Sequence, residues 1–236
     1  MCKFLFCFSL MFLFSLEVAV GENHCEKAHS ENKGGLIIQI DPKILHNADL
    51  EQVVKKGEGR FDSALAMNVH CERFPMLREK ISSVIGRPLT FYKQWNPEGE
   101  AHITVIAPVE YYDFLRGSDP QHPILTMNQI GSIASKSEMQ KAKFEILSMG
   151  SGKMLLKGKM EETFFIIVKS ESLLKIRRTI HEAFVQNGGK PEAWNPEKYY
   201  PHITVGFTLR DLHEADGVIK DVHNSSDSRF IVKIEE

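Results

Sequence analysis

The chain has 236 residues, 42% of them hydrophobic and 25% charged, and 29 Lys and Arg against 31 Asp and Glu leave a net charge of −2. That composition suits one globular domain, or two small lobes sharing a core. The charge balance excludes a global basic field able to hold long nucleic acid by counterion release, so a nucleotide ligand is expected to be small or held by a local patch.

Taken from the N-terminus, residues 1–21 read as a secretory signal. Lys3 is the basic n-region, and Phe4 to Leu16 is an apolar run broken by Glu17. That run is short for a membrane helix, which needs about 20 residues. Ala19 and Gly21 supply the small residues for cleavage after Gly21. The mature chain would then have no membrane segment and be secreted, or held in the secretory-pathway lumen; an uncleaved anchor is the rival reading. Cys2 and Cys7 leave with the signal, and Cys25 and Cys71 remain. In an oxidising compartment these two are candidates for a disulfide, with two unpaired thiols as the alternative. Residues 22–33 are polar and read as a flexible lead, and 34–236 as a single domain.

Leu36 to Ile40 and Ser63 to His70 read as strands. Phe74, Leu77, Ile81 and Val84 or Ile85 fall at helical spacing, with Pro75 at an early position where its missing N–H costs nothing and Gly86 as the stop. Leu89 to Lys93 and His102 to Ile106 read as strands. Residues 117–141 are the least regular stretch, with a short helix over Ile124 to Ile133. Lys143 to Leu147 and Thr163 to Lys169 look like paired strands around a turn region at Gly150, Ser151 and Gly152. Leu173, Ile176, Ile180 and Phe184 form a second helical stripe, opened by Ser170 as N-cap and closed by Asn187-Gly188-Gly189. His202 to Phe207 and Phe230 to Ile234 are the last strands. Asn224-Ser225-Ser226 is a glycosylation sequon in a polar stretch suited to a surface loop.

One segment occurs twice. Trp95-Asn96-Pro97-Glu98 leads into His102-Ile103-Thr104-Val105, and Trp194-Asn195-Pro196-Glu197 leads into His202-Ile203-Thr204-Val205. This is the mark of an internal duplication. Alternate strand residues share a face, so each copy turns one imidazole and one hydroxyl the same way and buries its β-branched pair. Two histidines around one centre suit phosphodiester cleavage. One takes a proton from the attacking oxygen, the other donates to the leaving oxygen, and an unperturbed pKa of about 6.5 serves both roles. Thr104 and Thr204 are candidates to donate to non-bridging phosphate oxygens. No metal-ligand spacing flanks either copy, so neither metal nor cofactor is expected. A lone strand histidine is usually structural; a matched pair behind a matched lead is not so explained.

The paired His-x-Thr-x elements resemble the two-histidine (2H) phosphoesterase superfamily, which includes the LigT-like cyclic phosphodiesterases. The resemblance implies an α+β bilobal fold: two pseudo-symmetric antiparallel-sheet lobes, helices outside, a central cleft between them. It implies hydrolysis of a 2′,3′-cyclic phosphate, or of a 2′–5′ or 3′–5′ oligonucleotide linkage, on a nucleotide or short RNA. His102 and His202 would be the acid and base, in either order. A catalytically silent nucleotide- or RNA-binding module on the same fold is the alternative, and a metal-dependent hydrolase a second one.

Aromatic and basic residues flank the motifs. Tyr199 and Tyr200 have no counterpart in the first copy and are the candidates to stack on a base. Trp95 and Trp194 occur in both copies and read as packing anchors. Lys93 and Lys198 are candidate cations for phosphate. His70, His122, His181 and His213 lack a repeated context and read as surface or helix residues; Met127, Met139, Met149, Met154 and Met160 read as core filler. Oligomeric state is not legible.

Overall fold

A computed structural model describes residues 36–40, 63–69, 74–91 and 101–234. Five strands form one antiparallel sheet in the order β2-β3-β6-β5-β4. These are β2 (Leu65–Val69), β3 (Ala101–Ile106), β4 (Glu145–Leu156), β5 (Lys159–Lys169) and β6 (His202–Phe207). A separate parallel pair joins β1 (Leu36–Ile40) to β7 (Phe230–Ile234).

The helices are amphipathic, and their apolar stripes decide where the core lies. Helix α1 (Phe74–Ile85) buries Phe74, Leu77 and Ile81, and Gly86 ends it with φ +66°. A short turn of helix, α2 (Pro108–Glu110), runs on into a π-helical turn over Tyr111–Leu115. Helix α3 (Met127–Lys136) starts at Thr126, whose hydroxyl accepts from the Gln129 N–H. That cap sets its start three residues later than the apolar pattern at Ile124 suggested. Helix α4 (Glu171–Gln186) opens on Ser170, whose hydroxyl accepts from the Leu173 N–H, and buries Leu173, Ile176, Ile180 and Phe184. These stripes meet Ile103, Val105, Ile203, Val205, Phe164, Ile166 and Val168 in one core. The helical stripes thus pack on one face of the sheet, and the alternate residues of its strands stand on the other.

The structure departs from several expectations. Gly150 and Gly152 are not at a turn but inside β4, across from Phe165 and Thr163. The chain turns at Lys157 and Gly158, with φ +50° and +77°, the pair of positive φ values a two-residue hairpin demands. Glycine is needed at 150 for packing: a Cβ there would stand 2.5 Å from the Phe165 ring. Of the strand expected from Leu89, only the Thr90 bridge to Phe207 forms among the described residues. The two-lobe arrangement is met in part. The fold is α+β with an antiparallel main sheet, and the strands bearing the two motifs are neighbours in that one sheet. Of the methionines, Met127, Met139 and Met149 are core, while Met160 is exposed.

Candidate active site

The β3–β6 pairing fixes the geometry. Ile103 is the cross-strand partner of Ile203, and the strands are antiparallel. His102 therefore stands across from Thr204, and Thr104 across from His202. Ile103, Val105, Ile203 and Val205 are fully buried in the helical core. Alternation puts both imidazoles and both hydroxyls on the opposite face. The two histidines are diagonal neighbours, and such positions lie about 7–8 Å apart in a sheet.

The chain after β6 returns across this face and brings residues the repeat did not announce. Asp211 and Lys220 are both buried and ion-paired, with Nζ 2.8 Å from Oδ1 and 2.9 Å from Oδ2. The Thr204 hydroxyl donates to Oδ2 at 3.2 Å, and the Thr163 hydroxyl to Oδ1 at 2.5 Å. The same Nζ lies 3.2 Å from Nε2 of His202. On the other side of that ring, Nδ1 donates to the Tyr200 carbonyl at 2.8 Å. A neutral imidazole with its proton on Nδ1 satisfies both contacts, because the ammonium can only donate. The Phe165 ring packs edge-on against His202, centroids 5.7 Å apart, within a small apolar cluster with Ile167, Leu212 and Val218.

Burial is the main force on the titratable groups. It lowers His102 to about 4, with Asp211 opposing and Lys220 assisting. It lowers His202 to about 3, with Lys220 assisting and Asp211 opposing. Burial also works against ionisation of Asp211, but the Lys220 ammonium overrides it and holds the carboxyl well below the usual range. Lys220 itself is drawn below its ordinary value by burial, against the pull of Asp211.

The flanking candidates separate. The Tyr199 hydroxyl donates to the Thr104 carbonyl at 3.1 Å, and its ring lies under the Arg177 guanidinium at 4.5 Å. Its polar end is thus committed to the scaffold. Tyr200 is half-buried, and with Pro201, Ile167 and Lys220 it borders a cavity of about 390 Å³. Lys198 is exposed and ion-paired to Glu214. Trp194 is buried, with its indole N–H donating to Glu110 at 3.0 Å, as expected of an anchor. Asn224 is exposed in a short helix, α5 (Val222–Ser225), its amide donating to Asp221. His122 and His213 are exposed and His181 lies on α4, although the His213 ring comes within 3.9 Å of Asp211. Lys93, Trp95, His70, Cys25, Cys71 and the signal segment lie outside the described residues.

Arg177 was not singled out by any motif, yet it organises the approach to both strands. It is buried in the middle of α4, pairs with both oxygens of Glu110 at 2.7 and 3.0 Å, and donates to the carbonyls of Val105, Pro196 and Lys198. In the sequence it falls at helical spacing within the apolar stripe, between Leu173 and Ile180, where a cation carries no motif of its own. Asp211 and Lys220 had no signal at all, because the fold alone carries them back to β6.

Among the described residues no group of three or more His, Cys, Asp and Glu side chains is placed to hold a metal ion, and no helix is long and apolar enough to cross a membrane. Residues 63–213 match the family model of the 2H phosphoesterase domain of the Swiss Army Knife group. No curated protein and no solved structure matches the chain. The matched segment takes in β3, β5 and β6 and reaches Asp211, but stops short of Lys220.

Proposed function

The chain belongs to the 2H phosphoesterase family, and we propose that it is a metal-independent phosphodiesterase acting on a 2′,3′-cyclic phosphate or on a 2′–5′ or 3′–5′ oligonucleotide linkage. The supporting observation is the Ile103–Ile203 register, which sets two imidazoles diagonally on one face. In the hydrolysis of a cyclic phosphate, one neutral imidazole takes a proton from water as the water oxygen bonds to phosphorus. The bond from phosphorus to one ribose oxygen breaks, and that oxygen takes the proton of the other, charged imidazole. The two rings end with their protonation exchanged, and solvent restores them. Thr104 donates to a non-bridging oxygen; Thr204 joins only by exchanging Asp211 for the phosphate. Tyr200, beside its cavity, is the better placed of the two tyrosines to meet a base.

A catalytically silent nucleotide-binding module is the second reading. It is favoured by one observation: both ring nitrogens of His202 and the Thr204 hydroxyl already have protein partners. Incubation with 2′,3′-cyclic nucleotides, 2′–5′ oligoadenylate and short RNA in EDTA, with products read by mass, separates the two. Binding without turnover supports the module, and turnover abolished by EDTA supports a metal-dependent hydrolase. Secretion belongs to the same proposal. Protein recovered from the medium of expressing cells should begin near Glu22 and carry glycan on Asn224.

A further inference from the structure

We propose that the buried Asp211–Lys220 pair divides the labour between the two histidines, Lys220 acting as a positioning residue that keeps His202 the base and leaves His102 the acid. This rests on the two-histidine reading above and adds the assignment that the repeated motifs, being alike, do not contain.

The two copies are equivalent in sequence but not in surroundings. His202 meets the Tyr200 carbonyl from its own lead and the Phe165 ring from β5, and it stands across from Thr104 and diagonal to His102 on β3. It meets Lys220, Asp211 and His213 from the returning segment. The Tyr200 carbonyl holds the proton on Nδ1, so the lone pair is on Nε2. The Lys220 ammonium has three N–H bonds: two go to Asp211 and the third points at that lone pair. A cation there penalises a proton on Nε2, so His202 enters the reaction neutral. The 3.2 Å contact is the longest of the three and the one an incoming water or ribose hydroxyl replaces, handing its proton to Nε2. Lys220 then turns its freed N–H toward the phosphate charge, still clamped by Asp211.

His102 is the partner left to carry the proton. No ammonium is hydrogen-bonded to its ring among the described contacts, and there the pull of Asp211 toward the charged form outweighs the opposing effect of Lys220. The phosphodiester anion raises it further once bound. Protons balance: water loses one to His202 and the leaving ribose oxygen gains one from His102.

The test is imidazole-nitrogen NMR of the full mature protein, followed by turnover of 2′,3′-cyclic nucleotide in two variants. In the wild type, His202 should be the neutral Nδ1–H tautomer at pH 7 and stay neutral down to about pH 5. An Nε2–H tautomer or an imidazolium at pH 7 overturns the inference without needing any variant to fold. Lys220→Met should move the His202 titration and the acid limb of the rate profile up by about one pH unit or more, since the negative charge of Asp211 is then no longer offset by the ammonium. Asp211→Asn should move both the other way. Opposite shifts are not what a purely structural pair gives. Turnover with both limbs unmoved in both variants contradicts the inference alone, whereas an inactive wild type with the predicted tautomer contradicts only the catalytic reading.

Discussion

Ile103 and Ile203 are cross-strand partners in neighbouring antiparallel strands, each without solvent exposure. The facing of both motifs follows from that pair. Burying both isoleucines under the helices forces the flanking His and Thr of each strand to the other face, where the two imidazoles share one diagonal. A slip of one residue in either strand would turn that strand's motif into the core.

The pH dependence should reflect burial. Unperturbed imidazoles would put the optimum near neutrality, but in the free protein His102 lies at about 4 and His202 at about 3. The required state has His202 neutral and His102 charged, so kcat/KM should fall with rising pH from about pH 4. A bound phosphodiester anion favours the charged form of His102, so the alkaline limb of kcat should lie above that of kcat/KM by about 1–3 pH units. Steady-state rates from pH 3.5 to 8.5 give both limbs; coincident limbs would count against a substrate-induced rise.

Stability should carry the same signature. Both histidines bind protons less readily folded than unfolded, where the value is about 6.5. Their contribution is complete above that value and is lost as pH falls toward about 4 and then about 3. The melting temperature should therefore decline from about pH 6.5 downward, before the carboxylates titrate. Replacing both histidines by Gln should flatten that part of the curve; an unchanged slope would mean the rings are not held neutral.

Arg177→Met should be among the most damaging single substitutions. It leaves the Glu110 carboxylate and the Val105, Pro196 and Lys198 carbonyls without their shared donor. Breaking a buried pair in this way costs about 3–5 kcal/mol. Arg177→Lys should recover little, because one ammonium cannot reproduce the planar fork. Urea denaturation measures both.

Gly150→Ala should lower activity as well as stability. The added methyl meets the Phe165 ring, and Phe165 is packed against the edge of His202. Overpacking of this kind costs about 1–3 kcal/mol. Relief by Phe165→Leu in the double variant would tie the loss to that contact; an additive loss would not.

The legible part of the chain was the part written by periodicity and repetition. The α1 and α4 stripes, the Ser170 cap and both motif strands follow from local rules that act over a few residues. Gly150 and Gly152 misled because glycine marks a close approach as readily as a turn, and only the strand across the sheet tells which. Asp211 and Lys220 were silent because their meaning is a contact with His202 made by a loop returning through space. Arg177 was silent because a buried cation is recognisable only by the carbonyls and carboxylate around it. Symmetry in the motifs likewise hid the asymmetry of the site, which comes wholly from what packs against β6.

The most direct test of a two-histidine phosphodiesterase is single-site replacement under metal-free conditions. Turnover of 2′,3′-cyclic nucleotide by the wild-type protein in EDTA is compared with that of His102→Ala and His202→Ala, each checked for a wild-type melting curve at pH 8. The expected result is EDTA-insensitive turnover that falls at least about 100-fold in each variant, the usual scale of general acid–base catalysis. Folded variants that turn over substrate at the wild-type rate would contradict the assignment of chemistry to this face of the sheet.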